Sequence, residues 1–171
     1  SIGYAAFYNC NSLTSIMVPN SVTSIGNSAF YNCSSLATII IPDNIENIGS
    51  SILYGCSNVV EAKIPYIETP ILTNKLQKLS SAKCTSIPSK LLENCTNLTD
   101  LTLPFLGLTP TSTGEDGILG ALFSTTSNSF MKAVTQYYAE GKSKTYYIPN
   151  TLEKLTITRP SSELSYGALY N

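Results

Sequence analysis

The chain has no histidine and no tryptophan, and only 12% of its 171 residues are charged. Without histidine, a serine or cysteine nucleophile lacks its commonest general base, and a zinc site lacks its commonest nitrogen ligand. Lysine and arginine are not clustered, so the basic patch that a nucleic-acid partner requires is missing. No apolar run approaches the roughly 18 residues of a membrane-spanning helix, and no charged-then-apolar leader stands at the start. The only charged residues in positions 1–60 are Asp43 and Glu46. Polarity there must come from Ser, Thr, Asn and Tyr, a neutral surface that suits an extracellular setting. What remains is 43% hydrophobic residues, enough to bury a sizeable core in one domain.

What is present is repetition. SIGYAAFYNC at Ser1 returns as SIGNSAFYNC at Ser24 and as NIGSSILYGC at Asn47, a period of 23 residues. Columns align throughout: Ile2, Ile25 and Ile48; Gly3, Gly26 and Gly49; Phe7, Phe30 and Leu53; Cys10, Cys33 and Cys56; Leu13, Leu36 and Val59. Further on come Ile16, Ile39 and Ala62, then Val18, Ile41 and Ile64, each followed by proline. A fourth clear unit runs from Ile87 through Cys95, Leu98, Leu101 and Leu103 to Pro104. The Cys56 to Cys95 gap is shorter than two periods, so a shortened coil lies between, with Leu76 and Leu79 in the leucine slots. Self-similarity at such a period is the signature of a solenoid of stacked supersecondary units.

Each unit reads as one coil. The alternation in Ser15-Ile16-Met17-Val18 predicts a strand with two side chains inward and two outward. Pro19 ends it, having no N–H for a ladder. Val22 to Gly26 turns a corner, and Ala29-Phe30-x-x-Cys33 predicts a short helical or 3₁₀ return that buries Phe and Cys. The pattern L-x-x-I-x-V-P-x-x-V-x-x-I-G-x-x-A-F-x-x-C, spelled by residues 13–33, resembles the BspA-like class of leucine-rich repeats, found in large bacterial surface proteins and some protozoan ones. The resemblance implies a right-handed leucine-rich-repeat solenoid, a location at the cell surface or outside, and a role in adhesion or protein binding. The matching motif is a packing motif, so it transfers no functional residues.

The expected organisation is a single leucine-rich-repeat domain over 1–171: regular repeats over 1–65, a degenerate repeat over 66–84, a regular repeat over 85–104, an insertion over 105–147, and repeats resuming over 148–171. Ile148-Pro-Asn-Thr-Leu152 echoes Val18-Pro-Asn-Ser-Val22, and Leu155 reads either as a corner or as a strand residue. Residues 164–171 copy residues 2–9, so both ends are expected to cut a repeat within a longer array, and the exposed coil edges are expected to associate end to end.

Catalytic motifs fail individually. Ser80-x-x-Lys83 has the serine–lysine spacing of penicillin-binding enzymes without the companion S-D-N and K-T-G elements. Gly141-Lys142-Ser143 looks like the end of a phosphate loop, but Gln136 stands where the earlier glycine belongs. Cys10, Cys33, Cys56, Cys84 and Cys95 all read as core positions, and side chains in one column run parallel, which disfavours disulfide geometry. Glu115 and Asp116 read as solvated carboxylates in a turn; two carboxylates fall short of the oxygen set of a calcium site. No catalytic, cofactor-binding or metal-ligating residue is assigned, and no cofactor is expected.

The outward strand positions form two columns: Ser15, Thr38, Glu61, Lys78, Asp100 and Lys154, in which charge alternates from Glu61 onward, and Met17, Ile40, Lys63, Ser80, Thr102 and Thr156. In the insertion, Ile118, Leu119, Leu122 and Phe123 have helical spacing. Phe130, Val134, Tyr137 and Tyr138 do too, after a cap at Asn128, while Gln136-Tyr-Tyr and Thr145-Tyr-Tyr around Glu140-Gly141 equally fit a hairpin with facing tyrosines. The candidate binding surface comprises Met17, Ile40, Tyr137, Tyr138, Tyr146 and Tyr147. The expected function is a non-enzymatic cell-surface or secreted module for protein–protein recognition or adhesion, with a passive rigid spacer as the alternative. Its partner is a protein, on a host or neighbouring cell, or a glycan; nucleic acid and membrane insertion are not expected.

Overall fold

The alternation of apolar and polar residues in each repeat resolves into very short strands that stack rather than extend. A computed structural model describes residues 1–67 and 73–158. The repeat copy at 164–171 lies outside the described residues, as does the stretch 68–72 of the degenerate repeat. The strands are β1 (Ser15–Met17), β2 (Ser24–Ile25), β3 (Thr38–Ile40), β4 (Asn47–Ile48), β5 (Glu61–Lys63), β6 (Lys78–Ser80), β7 (Asp100–Leu103), β8 (Met131–Ala139), β9 (Lys142–Pro149) and β10 (Lys154–Ile157).

A six-stranded parallel sheet has the order β1-β3-β5-β6-β7-β10, one strand per coil. Its register reproduces both outward columns: Ser15 pairs with Thr38, Thr38 with Glu61, Glu61 with Lys78, Lys78 with Asp100, and Asp100 with Lys154. Opposite charges thus face one another across four coils, which favours this register over a slipped one. The inward residues Ile39, Ala62, Leu79 and Leu101 are fully buried. Ser81 breaks the second inward column between Ile64 and Leu103, and its buried hydroxyl donates to the Pro65 carbonyl at 3.1 Å and lies 2.8 Å from the Cys84 sulfur. A buried hydroxyl without such partners would cost a desolvation penalty, so the polar residue is tolerated because the shortened coil bends a carbonyl toward it.

The corners pair as well: β2 and β4 run parallel, with Ile2 bridging to Ile25. Gly26 and Gly49 are required there by space. A Cβ on Gly26 would stand 2.6 Å from the Tyr4 nitrogen, and one on Gly49 would overlap the Asn27 nitrogen. The return keeps the three-residue hydrogen bonds of a 3₁₀ turn, from Tyr31 N to Ser28 O and from Cys33 N to Phe30 O. It does not continue as a helix, because Ser28 (φ 56°) and Asn32 (φ 54°) are left-handed. Ala5, Ser51 and Lys90 hold the place of Ser28 in their coils, with φ of 51°, 57° and 57°. A positive φ at this place in these four coils splits the return into separate turns, a conformation right-handed helices do not admit.

Part of the segment 105–147 joins the stack. Ile87 N donates to Leu108 O, Lys90 N to Ala121 O and Leu92 N to Leu122 O. These repeat the bonds of Ile2, Ala5 and Phe7 to Ser24, Asn27 and Ala29 in the first coil. The segment therefore supplies the return of a sixth layer, and the helical spacing around Leu119 becomes the 3₁₀ turn Leu119–Leu122. Two excursions leave this layer, one through the 3₁₀ turn Gly114–Gly117 and one as the antiparallel hairpin β8–β9. Leu155 is a strand residue, paired with Leu101. Of the two phases left open at Leu155, the strand phase is the one formed: Glu153 N donates to Thr99 O as Ala37 N does to Thr14 O, so Leu152 takes the slot of Leu13 and its likeness to Val22 is one of sequence only.

Candidate functional site

Met17, Ile40 and the tyrosines of the insertion were the expected binding residues, and the structure separates them. Met17 sits on the edge strand β1 with 71% of its surface exposed, and Ile40 beside it in register is half-buried. The helix considered for Phe130 to Tyr138 does not form; that stretch is β8, and Asn128 Oδ1 accepts from Phe130 N in a local turn instead of capping a helix. The tyrosines of the hairpin do not face each other across it: Tyr137 pairs with Ser143, Ala133 with Tyr147, and Val134 with Tyr146. Tyr137 points outward at 38% exposure, and Tyr138 and Tyr147 are half-buried.

Tyr146 is buried at 3% exposure, against Gly120, where an added Cβ would collide with its ring and stand 2.6 Å from Gln136 Oε1. It is a packing residue and belongs to no exposed surface. The buried Gln136 Oε1 accepts from Gly120 N at 2.6 Å, so the hairpin is hydrogen-bonded to the sixth layer from its inner face. Gly141 (φ 69°) makes the hairpin tip, which is the whole content of the Gly-Lys-Ser sequence there.

A second tie was not visible in the sequence. Lys144 Nζ meets Glu115 Oε2 at 2.5 Å, joining the hairpin to the Gly114–Gly117 turn, and Tyr138 hydrogen-bonds the same carboxylate. Lys144 and then Tyr138 hold the Glu115 carboxyl below its ordinary range, and Glu115 in turn raises Lys144. Nothing in the spacing of residues 29 apart announces such a pair. Because the Glu115 carboxyl is depressed in the folded chain, its contribution to stability is present above the unfolded carboxyl range and is lost as pH falls through the folded value. The melting difference between the parent and Glu115→Gln is therefore expected to be present at pH 7, to start shrinking only as the pH falls through the ordinary carboxyl range at about pH 4, and to vanish below the depressed folded value. A difference that persists there would mean that the glutamine disturbs packing rather than charge.

The cysteines hold the stack from inside. Cys33 Sγ donates to Phe7 O and Cys56 Sγ to Phe30 O, each at 3.0 Å and each across one coil. All five cysteines are free thiols. Burial pushes the Cys56 and Cys95 thiols up to about 12, which leaves almost no thiolate at neutral pH. Two residues before Cys10, Cys33 and Cys56 lies a column the columns above omit: Tyr8, Tyr31 and Tyr54, stacked at 5.0 and 4.9 Å between ring centroids. The repeated F-Y-N-C and L-Y-G-C sequences were its signal.

Residues 1–113 match the BspA type Leucine rich repeat region, in 6 copies. The chain belongs to the BspA-type leucine-rich-repeat family. Two solved structures resemble this BspA-type chain. A leucine-rich-repeat protein from T. pallidum is 27% identical, with 60% of this chain and 41% of that one covered and a TM-score of 0.38. One from Bacteroides ovatus is 26% identical, with 60% and 35% covered and a TM-score of 0.37. The BspA-type chain thus spans less than half the length of either protein. No curated protein matches it. Repeats of this family typically form protein-interaction modules without catalytic activity. Among the described residues, no helix is long and apolar enough to cross a membrane, and no three His, Cys, Asp or Glu side chains form a metal-binding group.

Proposed function

We propose that this chain is a non-enzymatic recognition module of a cell-surface or secreted protein, engaging a protein or glycan partner through the outer face of its sheet and the outward face of the β8–β9 hairpin. The observation that carries this reading is the way the hairpin is held. Gln136 and Tyr146 anchor it to Gly120, and Lys144 to Glu115, while Thr135 and Tyr137 face outward and Lys132 is exposed near the start of β8. A hairpin fixed before binding loses little conformational freedom on contact, the condition under which a small surface gains affinity. Tyr137 offers a ring and a hydroxyl, the combination enriched at protein contacts. The cell-surface location rests on the family, whose members are typically surface-associated in bacteria.

The rival reading, a rigid spacer, is favoured by the sameness of the first three coils and by the uncharged outer columns of the first two, Ser15, Thr38, Met17 and Ile40. The test passes the chain over immobilised purified extracellular-matrix proteins and glycoproteins, beside a variant carrying Lys132→Ser and Tyr137→Ser. Both substitutions are at exposed positions and leave the anchors intact. Saturable binding by the parent that falls at least tenfold in the variant supports recognition through the hairpin. Equal responses, or none from the folded parent, move the assignment to the spacer.

A further inference from the structure

The tyrosine column on the return edge is a chemical site that recognition does not use. Tyr8, Tyr31 and Tyr54 come from three successive coils, their rings nearly parallel (interplanar angles 9° and 19°) and their centroids 5.0 and 4.9 Å apart. Tyr8 is 49% and Tyr54 54% exposed, so the column is open to an oxidant along its length while each ring stays against the next. Elsewhere in this stack covalent joining of coils is closed off. The cysteines are buried or half-buried free thiols, and those of Cys33 and Cys56 hydrogen-bond to the neighbouring coil's carbonyls.

We propose that Tyr8, Tyr31 and Tyr54 form an oxidative cross-linking site, in which hydrogen peroxide and a peroxidase join the rings of adjacent coils as dityrosine. Each of two neighbouring phenols gives one electron to the oxidant and its hydroxyl proton to solvent. The resulting phenoxyl radicals carry spin at the ring carbons ortho to oxygen, and two such carbons form one C–C bond. The hydrogen on each joined carbon then moves to its oxygen as the rings regain aromaticity. Peroxide accepts the two electrons and two protons and leaves as two waters, so the protein loses two hydrogens for each link. The stack supplies what the coupling of two dilute radicals lacks: the second phenol is already in contact when the first is oxidised. Tyr31, in the middle, is the ring common to both links, which ties coils 23 residues apart in sequence.

The chain is treated with horseradish peroxidase and limiting hydrogen peroxide at low protein concentration. Dityrosine fluorescence, intact mass and denaturing gel mobility are then read together. The expected result is a fluorescent monomer lighter by two hydrogens per link. Tyr31→Phe, which keeps the ring and hence the stack, should remove most of the monomer's fluorescence. Tyr4→Phe and Tyr137→Phe, at exposed tyrosines outside the column, should leave it unchanged. Equal fluorescence in Tyr31→Phe, or fluorescence confined to covalent dimers, would overturn the site. Cross-linking that follows the prediction should also raise the melting temperature of the parent and not that of Tyr31→Phe; an unchanged melting temperature in the cross-linked parent would show that the link does not bridge coils.

Discussion

Phe30→Ala is expected to cost about 3–5 kcal/mol, the range for truncating a fully buried aromatic ring. Phe30 is wholly buried, its ring stacked on Phe7 at a centroid distance of 5.4 Å, and its carbonyl accepts the Cys56 thiol. Coils above and below therefore touch the space it would vacate. Collapse into that space is hindered, because the hydrogen bonds of the return, Phe7 N to Ala29 O and Phe30 N to Ile52 O, fix the spacing of the coils. Denaturant unfolding measures the loss directly. The exposed Phe130→Ala serves as the comparison and should shift the midpoint little. If the two variants unfolded alike, the ring would not be part of the core described above.

Gly49→Ala tests how closely the coils approach. Its new Cβ would overlap the backbone of Gly26 and Asn27, atoms that belong to the neighbouring coil and cannot rotate aside. Overpacking against backbone costs about 1–3 kcal/mol, and here each coil transmits the displacement to the next. Gly3 occupies the same column in the first coil with nothing within 4 Å of its Cβ direction. Gly3→Ala should accordingly be close to neutral in the same unfolding experiment. The pair separates space from backbone freedom, since neither glycine has a positive φ. Equal losses at both positions would show that the column is needed for some reason other than coil spacing.

Much of this architecture was legible because a stacked repeat states each constraint several times. The strand columns followed from period-two alternation closed by proline, and Leu79 could be placed in a degraded coil because Glu61, Lys78 and Asp100 alternate in sign around it. The insertion was harder, for two physical reasons. Its return pairs through main-chain atoms of Leu108, Ala121 and Leu122, which any residue could supply, so the sequence leaves no mark of it. Its hairpin has inward Val134, Gln136, Tyr146 and Ile148, an alternation in which one of the buried residues is polar. The burial of Gln136 makes sense only beside Gly120 N, a contact between residues that no periodicity links. The ambiguity of phase at Leu155 has a similar origin. Pro149 ends β9 as Pro19 follows β1, so the same dipeptide closes a strand in two different places in the fold.

The parallel ladder also fixes how the molecule would respond to being pulled. Its hydrogen bonds run from coil to coil along the stacking axis: Ala37 to Thr14, Val60 to Ala37, Gln77 to Val60, Thr99 to Gln77 and Glu153 to Thr99. Tension applied along that axis meets these bonds lengthwise and opens one layer at a time, like a zip, instead of shearing many at once. A stalk made of such coils would pay out length in steps under modest load, and the hairpin anchored across the sixth layer would be released only when that layer opened.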